Sequence, residues 1–211
     1  MSVPQRGVLL VGPTGSGKTP VGELLQQRGL WGHACAHFDF GENLRACAYG
    51  GDAEAAAEAA LSDDECAFLV EVLERGALLE DEHFPIARKI LTAFLARAGL
   101  ADDGYVVLNG LPRHAGQARD VAPIVRVEAV LQLACDEAVV LERIRGDVGG
   151  DRGGRGDDHE ELVRRKVRTY LERTRPLVEH YRAAGARVVP VCVGAATTPE
   201  DAYAEIARRH P

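Results

Sequence analysis

Near the amino terminus, Gly12-Pro13-Thr14-Gly15-Ser16-Gly17-Lys18-Thr19 meets every position of the pattern Gly-x-x-x-x-Gly-Lys-[Ser/Thr]. Glycines there let the main chain curl until successive N–H groups point at one anion, and a helix starting at that point adds the positive end of its dipole. The chemistry is phosphate capture. Gly12, Gly15, Ser16 and Gly17 form the cradle, Lys18 reaches the β- and γ-phosphates, and the Thr19 hydroxyl helps to hold Mg²⁺. ATP or GTP is the expected ligand. Pro20 falls in the first helical turn, where a missing N–H costs the helix little, but it removes a donor that would face the α-phosphate.

Such a loop works only between a strand and a helix, and the flanking residues supply both. Gly7-Val8-Leu9-Leu10-Val11 reads as a buried strand, and Val21, Leu24 and Leu25 have helical spacing. A second strand is expected over 34–40, and 42–98 reads as mainly helical. Within it, 53–60 is alanine-rich, and Ser62-Asp63-Asp64-Glu65 opens a helix as a capping box. Phe68, Leu69, Val72 and Leu73 give that helix its apolar stripe, Gly76 stops it, and a further helix covers 82–98. Tyr105-Val106-Val107-Leu108 and Ala129-Val130-Leu131-Gln132-Leu133 are further strands, the second followed by a helix over 136–144. A glycine- and charge-rich loop at 146–156 is expected to move. One long helix over 158–184, bent near Pro176, a strand at 187–191 and a helix at 199–209 complete the chain. Strands separated by helices imply an α/β fold with a parallel sheet covered on both faces.

The 211 residues suit one compact domain, and 32 acidic against 25 basic residues argue against non-specific nucleic-acid binding. No apolar run reaches membrane-spanning length, and the first residues lack signal-peptide architecture, so a cytoplasmic protein is expected. The five cysteines never approach a Cys-x-x-Cys spacing and read as free thiols in a reducing compartment. His33 and His37 lie on a strand-like stretch and make a weak metal pair. Against the overall charge, residues 143–175 carry nine arginines and Lys166 against seven acids. Arg164, Arg168 and Arg173 read as residues of a solvated, salt-bridged helix face within that cluster.

Several later segments, in order, resemble the adenylate kinase (nucleoside monophosphate kinase) family over nearly the whole chain. Gly41-Glu42-Asn43-Leu44-Arg45 is similar to its Gly-Asp-x-Leu-Arg, and Arg75-Gly76-Ala77-Leu78-Leu79-Glu80 to its Lys-Gly-x-Leu-Val-Pro. Asn109-Gly110-Leu111-Pro112-Arg113 with Gln117 is similar to Asp-Gly-Phe-Pro-Arg-x-x-x-Gln. Arg155-Gly156-Asp157-Asp158, with Tyr170 and Thr174-Arg175-Pro176 after it, is similar to the family's Arg-x-Asp-Asp helix. The resemblance implies a P-loop NTPase three-layer sandwich of about five parallel strands, a helical acceptor-binding insert over 41–100 and a short lid over 145–157. It implies phosphoryl transfer from ATP, with Mg²⁺, to a nucleoside monophosphate by a monomer whose partners are small nucleotides. By position, Arg45 and Arg113 would clasp the acceptor phosphate, beside Gly110 and Leu79, and Gln117 would read its base. Arg143, Arg155 and one of Arg145 or Arg152 would grip the donor phosphates, a task that suits arginine's bidentate fork.

Four positions depart from the family pattern. Asn109 stands where the family has an Asp that orients the waters of Mg²⁺, and an amide lacks that charge. Lys166 replaces an Arg, turning a bidentate phosphate contact into a point charge. Asp39 and Phe40 replace Ser-Thr. Asp39 would orient or deprotonate a hydroxyl acceptor, supply the metal-side charge missing at Asn109, or cap the next helix. Phe40 would stack on a base or fill the core. Three readings therefore stand side by side: a nucleoside monophosphate kinase with adenylate as the favoured acceptor, a kinase of a small hydroxyl metabolite using Asp39, and a nucleotide-binding relative whose chemistry has decayed.

Overall fold

The computed structural model describes residues 3–49, 53–77, 79–146, 148 and 160–209. Five strands, β1 (Gln5–Val11), β2 (Cys35–Asp39), β3 (Tyr105–Asn109), β4 (Val125–Ala134) and β5 (Arg187–Cys192), form one sheet. Their order is β2-β3-β1-β4-β5 and every pairing is parallel. Side chains alternate between faces with period two, and both faces are buried. Val8, Leu10, Val107, Leu131 and Val189 point into one core with Val21 and Leu25 of α1 (Lys18–Arg28) and Ile206 of α10 (Pro199–Arg208). Leu9, Val11, Phe38, Val106, Leu108 and Val130 point into the other. This is the three-layer α/β sandwich expected from the alternation of elements.

The second core is roofed by α2 (Phe40–Tyr49), α4 (Asp63–Arg75), α5 (Phe84–Ala98), α6 (Ala115–Val121) and α9 (Leu177–Ala183), with the short α3 (Ala53–Glu58) beside α2. The Ser62 side chain accepts from the Glu65 N–H and the Glu65 carboxylate accepts from the Ser62 N–H, so the expected capping box starts α4. A third, small cluster joins Val140 of α7 (Glu137–Arg145) to Val163 and Val167 of α8 (Glu160–Thr169).

The expected helix over 158–184 is not one helix. α8 passes into a π-helical turn at Tyr170–Thr174, where the Arg175 N–H reaches five residues back to the Tyr170 carbonyl at 2.8 Å, and α9 starts after Pro176. Proline has no N–H to continue the ladder and its ring crowds the preceding turn, so the bonding shifts register there. The expected helix over 82–98 likewise opens with a separate 3₁₀ turn, Asp81–His83, before α5. The lid expected over 145–157 falls almost wholly outside the described residues, and Arg152 and Arg155 fall there with it.

Candidate active site

The phosphate loop runs from the end of β1 into α1, and its glycines are demanded by geometry. Gly15 and Gly17 have φ of 74° and 90°, conformations that side-chain-bearing residues rarely adopt. At Gly12 a Cβ would meet the Ser16 Oγ at 2.5 Å and the Leu133 carbonyl at 2.9 Å. Ser16 is buried and its Oγ donates to the Pro13 carbonyl at 2.9 Å, closing the curl. Lys18 Nζ arches back over the loop to the carbonyls of Gly12 (2.9 Å) and Pro13 (2.8 Å). Pro20 is buried in the first turn of α1.

Beside the loop, Thr19 of α1 meets three polar side chains supplied by β2 and β3. Asp39 and Asn109 are register partners across the two strands. The Thr19 hydroxyl donates to Asp39 Oδ2 at 2.7 Å, and Asn109 Nδ2 donates to the same oxygen at 2.9 Å. Asn109 Nδ2 also lies 3.3 Å from Thr19 Oγ1 and 3.4 Å from His37 Nε2. The other oxygen, Asp39 Oδ1, accepts from the Glu42 N–H at 3.1 Å and so caps α2. Burial holds the His37 imidazole below its ordinary pKa, although the Asp39 charge works against it. Open parallel sheets bind ligands in this place, at the carboxyl ends of the strands.

The two arginines assigned to the acceptor flank this group. Arg45 is exposed, and its guanidinium and Asp39 Oδ1 both border the space above Gly41. Arg113 anchors Nε on the Gly110 carbonyl at 2.9 Å, and its guanidinium passes over Gly110 beside Phe40. Burial pulls the Arg113 pKa below its ordinary value, opposed by the Asp39 charge. Gln117 is buried, with Oε1 accepting from the Arg113 N–H and Nε2 donating to the Leu79 carbonyl, both at 2.8 Å. Through that amide, Leu79 and Arg113 are held at a set separation. Phe40 is 3% exposed and tilts against Phe38, so it fills the core and offers no open ring face for a base.

Other expected residues are placed differently. Arg143 is 3% exposed and donates to main-chain carbonyls: Nε to Gly15 (3.0 Å), and Nη1 to Gly194 (2.8 Å), Ala195 (3.3 Å) and Thr197 (2.7 Å). Arg145 is exposed and pairs with Glu160 at 2.9 Å. Lys166 is half-buried on α8, and Arg155 lies outside the described residues. Arg173, read from the sequence as part of a solvated, salt-bridged helix face, makes such a bridge with Glu80, two-pronged at 2.6 and 2.7 Å. Sequence reasoning gave His37 no part in this site, having paired it with His33. His33 instead lies 3.3 Å from Asp103, in the turn before β2 begins, and no sequence signal separates the two, since residues four apart on a strand share a face.

An adenylate kinase from Synechococcus sp. (strain CC9311) is 32% identical to this chain over 183 residues, covering 84% of this chain and 85% of the relative. The chain belongs to the adenylate kinase family. Adenylate kinases from Parasynechococcus marenigrum (strain WH8102) and Stenotrophomonas maltophilia (strain R551-3) are each 32% identical, over 187 and 184 residues. No protein-family model matches the chain. Among solved structures, a gluconokinase from Sinorhizobium meliloti 1021 aligns with all of this chain and 95% of its own, at a TM-score of 0.48 and 19% identity. Within the family, this member combines an intact phosphate loop with an amide at position 109 and a carboxylate at 39.

Proposed function

We propose that this protein transfers the γ-phosphoryl group of ATP to a nucleoside monophosphate, with adenylate as the preferred acceptor. The observation that carries the reading is the convergence of the Gly12–Thr19 cradle with Arg113 and Arg45 at the carboxyl ends of neighbouring parallel strands. A triphosphate in the cradle and a monophosphate against the arginines would meet in line, with no general base required because the acceptor phosphate is already an anion. The catalytic work is then positioning and charge neutralisation, by Lys18 on the donor and by the guanidinium groups on the acceptor. The hard oxygens of Thr19 and Asp39 suit Mg²⁺, which would be held on that side of the cradle and offset the charge of the phosphates.

In this reading residues 41–100 form the acceptor-binding insert and 145–157 the lid, with Arg155 delivered to the donor phosphates by closure. Lys166, on α8, would add a point charge to the phosphate contacts. A cytoplasmic setting agrees with five cysteines that are all free thiols, and no helix among the described residues is long and apolar enough to cross a membrane. The test is turnover of the purified chain with Mg-ATP and, in turn, AMP, GMP, CMP, UMP and dTMP. Diphosphate formation is expected with AMP first, and no product from any of the five would end the proposal. A dinucleoside pentaphosphate should bind far more tightly than ATP alone, because it spans both phosphate sites.

A further inference from the structure

We infer that the negative charge serving the nucleotide-bound cation in this protein sits on Asp39 of β2, with Asn109 of β3 reduced to a neutral donor that orients it. The inference rests on the phosphoryl-transfer reading and deepens it. A threonine hydroxyl has one proton and two lone pairs. Here the proton goes to Asp39 Oδ2 at 2.7 Å and one lone pair accepts from Asn109 Nδ2 at 3.3 Å, which leaves the second lone pair to face a cation in the cradle. The Asn109 amide donates to the same carboxylate oxygen at 2.9 Å and fixes its direction. Asp39 cannot swing away, because Oδ1 is held by the Glu42 N–H at the start of α2 and its carbonyl by Asn43 Nδ2 at 2.8 Å.

Strand register explains why one charge, and only one, belongs here. Asp39 and Asn109 are direct partners across β2 and β3, so a second carboxylate at 109 would stand against the first and the two would repel. The pair accepts a carboxylate on either strand with an amide opposite, and this chain places the carboxylate on β2.

The experiment titrates the imido analogue of ATP into the full-length protein, in Mg²⁺ and in EDTA, for the wild type, Asp39→Asn and the swap Asp39→Asn/Asn109→Asp. An amide at 39 can still accept from Glu42, so the helix cap survives and folding is checked by thermal denaturation. Asp39→Asn should cut the Mg²⁺-dependent gain in affinity by about tenfold, as loss of a cation's supporting carboxylate does, and leave affinity in EDTA unchanged. The swap should recover most of the gain. An undiminished Mg²⁺ gain in Asp39→Asn, an equal loss in both buffers, or a swap no better than the single variant would each overturn the inference. A wild type that binds the analogue in neither buffer would instead overturn the phosphoryl-transfer reading, and this inference with it.

Discussion

The Arg143 Nε–H donates to the carbonyl of Gly15 at 3.0 Å, while Nη1 of the same guanidinium gathers the carbonyls of Gly194 and Thr197 in the turn after β5. A single buried cation on α7 thereby ties the middle of the phosphate loop, near the start of the chain, to the turn after β5, near its end. Replacing Arg143 with Ala would leave these carbonyls without a donor in a site closed to water. The expected cost is about 3 kcal/mol of stability, together with weaker binding of the ATP analogue. Arg143→Lys should lie between, since an ammonium can reach fewer of the carbonyls. Denaturant titration and calorimetry measure both quantities, and a wild-type denaturation midpoint for Arg143→Ala would refute the tie.

Lys18 separates binding chemistry from folding. Its ammonium rests on two loop carbonyls at the surface of the cradle, outside the cores. Lys18→Ala should keep the circular dichroism spectrum and melting temperature of the wild type while turnover falls by about a thousandfold, the scale of losing one preorganised charge donor. Normal turnover in this variant would mean that the loop does not carry the reaction.

Tyr181 on α9 offers a stabilising substitution. Its hydroxyl is buried and has no hydrogen-bond partner among the described residues, and burial pushes its pKa up. A buried hydroxyl without a partner pays its desolvation cost with no return, so Tyr181→Phe should be neutral or gain about 1 kcal/mol. A rise in melting temperature with unchanged turnover is the expected result. A clear fall would reveal a partner for that hydroxyl.

Acid sensitivity should reach the acceptor side through Glu65. Hydrogen bonds from Lys89, then from the Ser62 N–H, hold its carboxyl below the usual range. A carboxyl lowered in the folded state contributes stability above its unfolded pKa and loses it as pH falls through the folded value. Glu65→Gln should therefore cost about 1 kcal/mol at neutral pH, the size of a capping interaction, and the gap from wild type should narrow in acid, as pH falls through the lowered folded-state value. Urea denaturation at neutral and acid pH checks it. A gap that persists in acid would place the effect in packing instead of charge.

The phosphate loop was legible because its physics is local. Glycines at fixed spacing, a lysine and a threonine between a strand and a helix leave few alternatives, and Gly12, Gly15 and Gly17 stand where a side chain would clash or strain the backbone. The alternation of buried runs with helical spacing likewise dictated a parallel sheet covered on both faces, and Ser62 with Glu65 announced the start of α4. Strand order could not be read this way, because pairing joins residues far apart in the chain. That order sets Asp39 against Asn109, brings Arg143 onto the main-chain carbonyl of Gly15 and buries Phe40. Residue type alone settled what chemistry each side chain could perform. Which neighbour each one meets was decided by long-range packing, since register and burial arise only once the layers close.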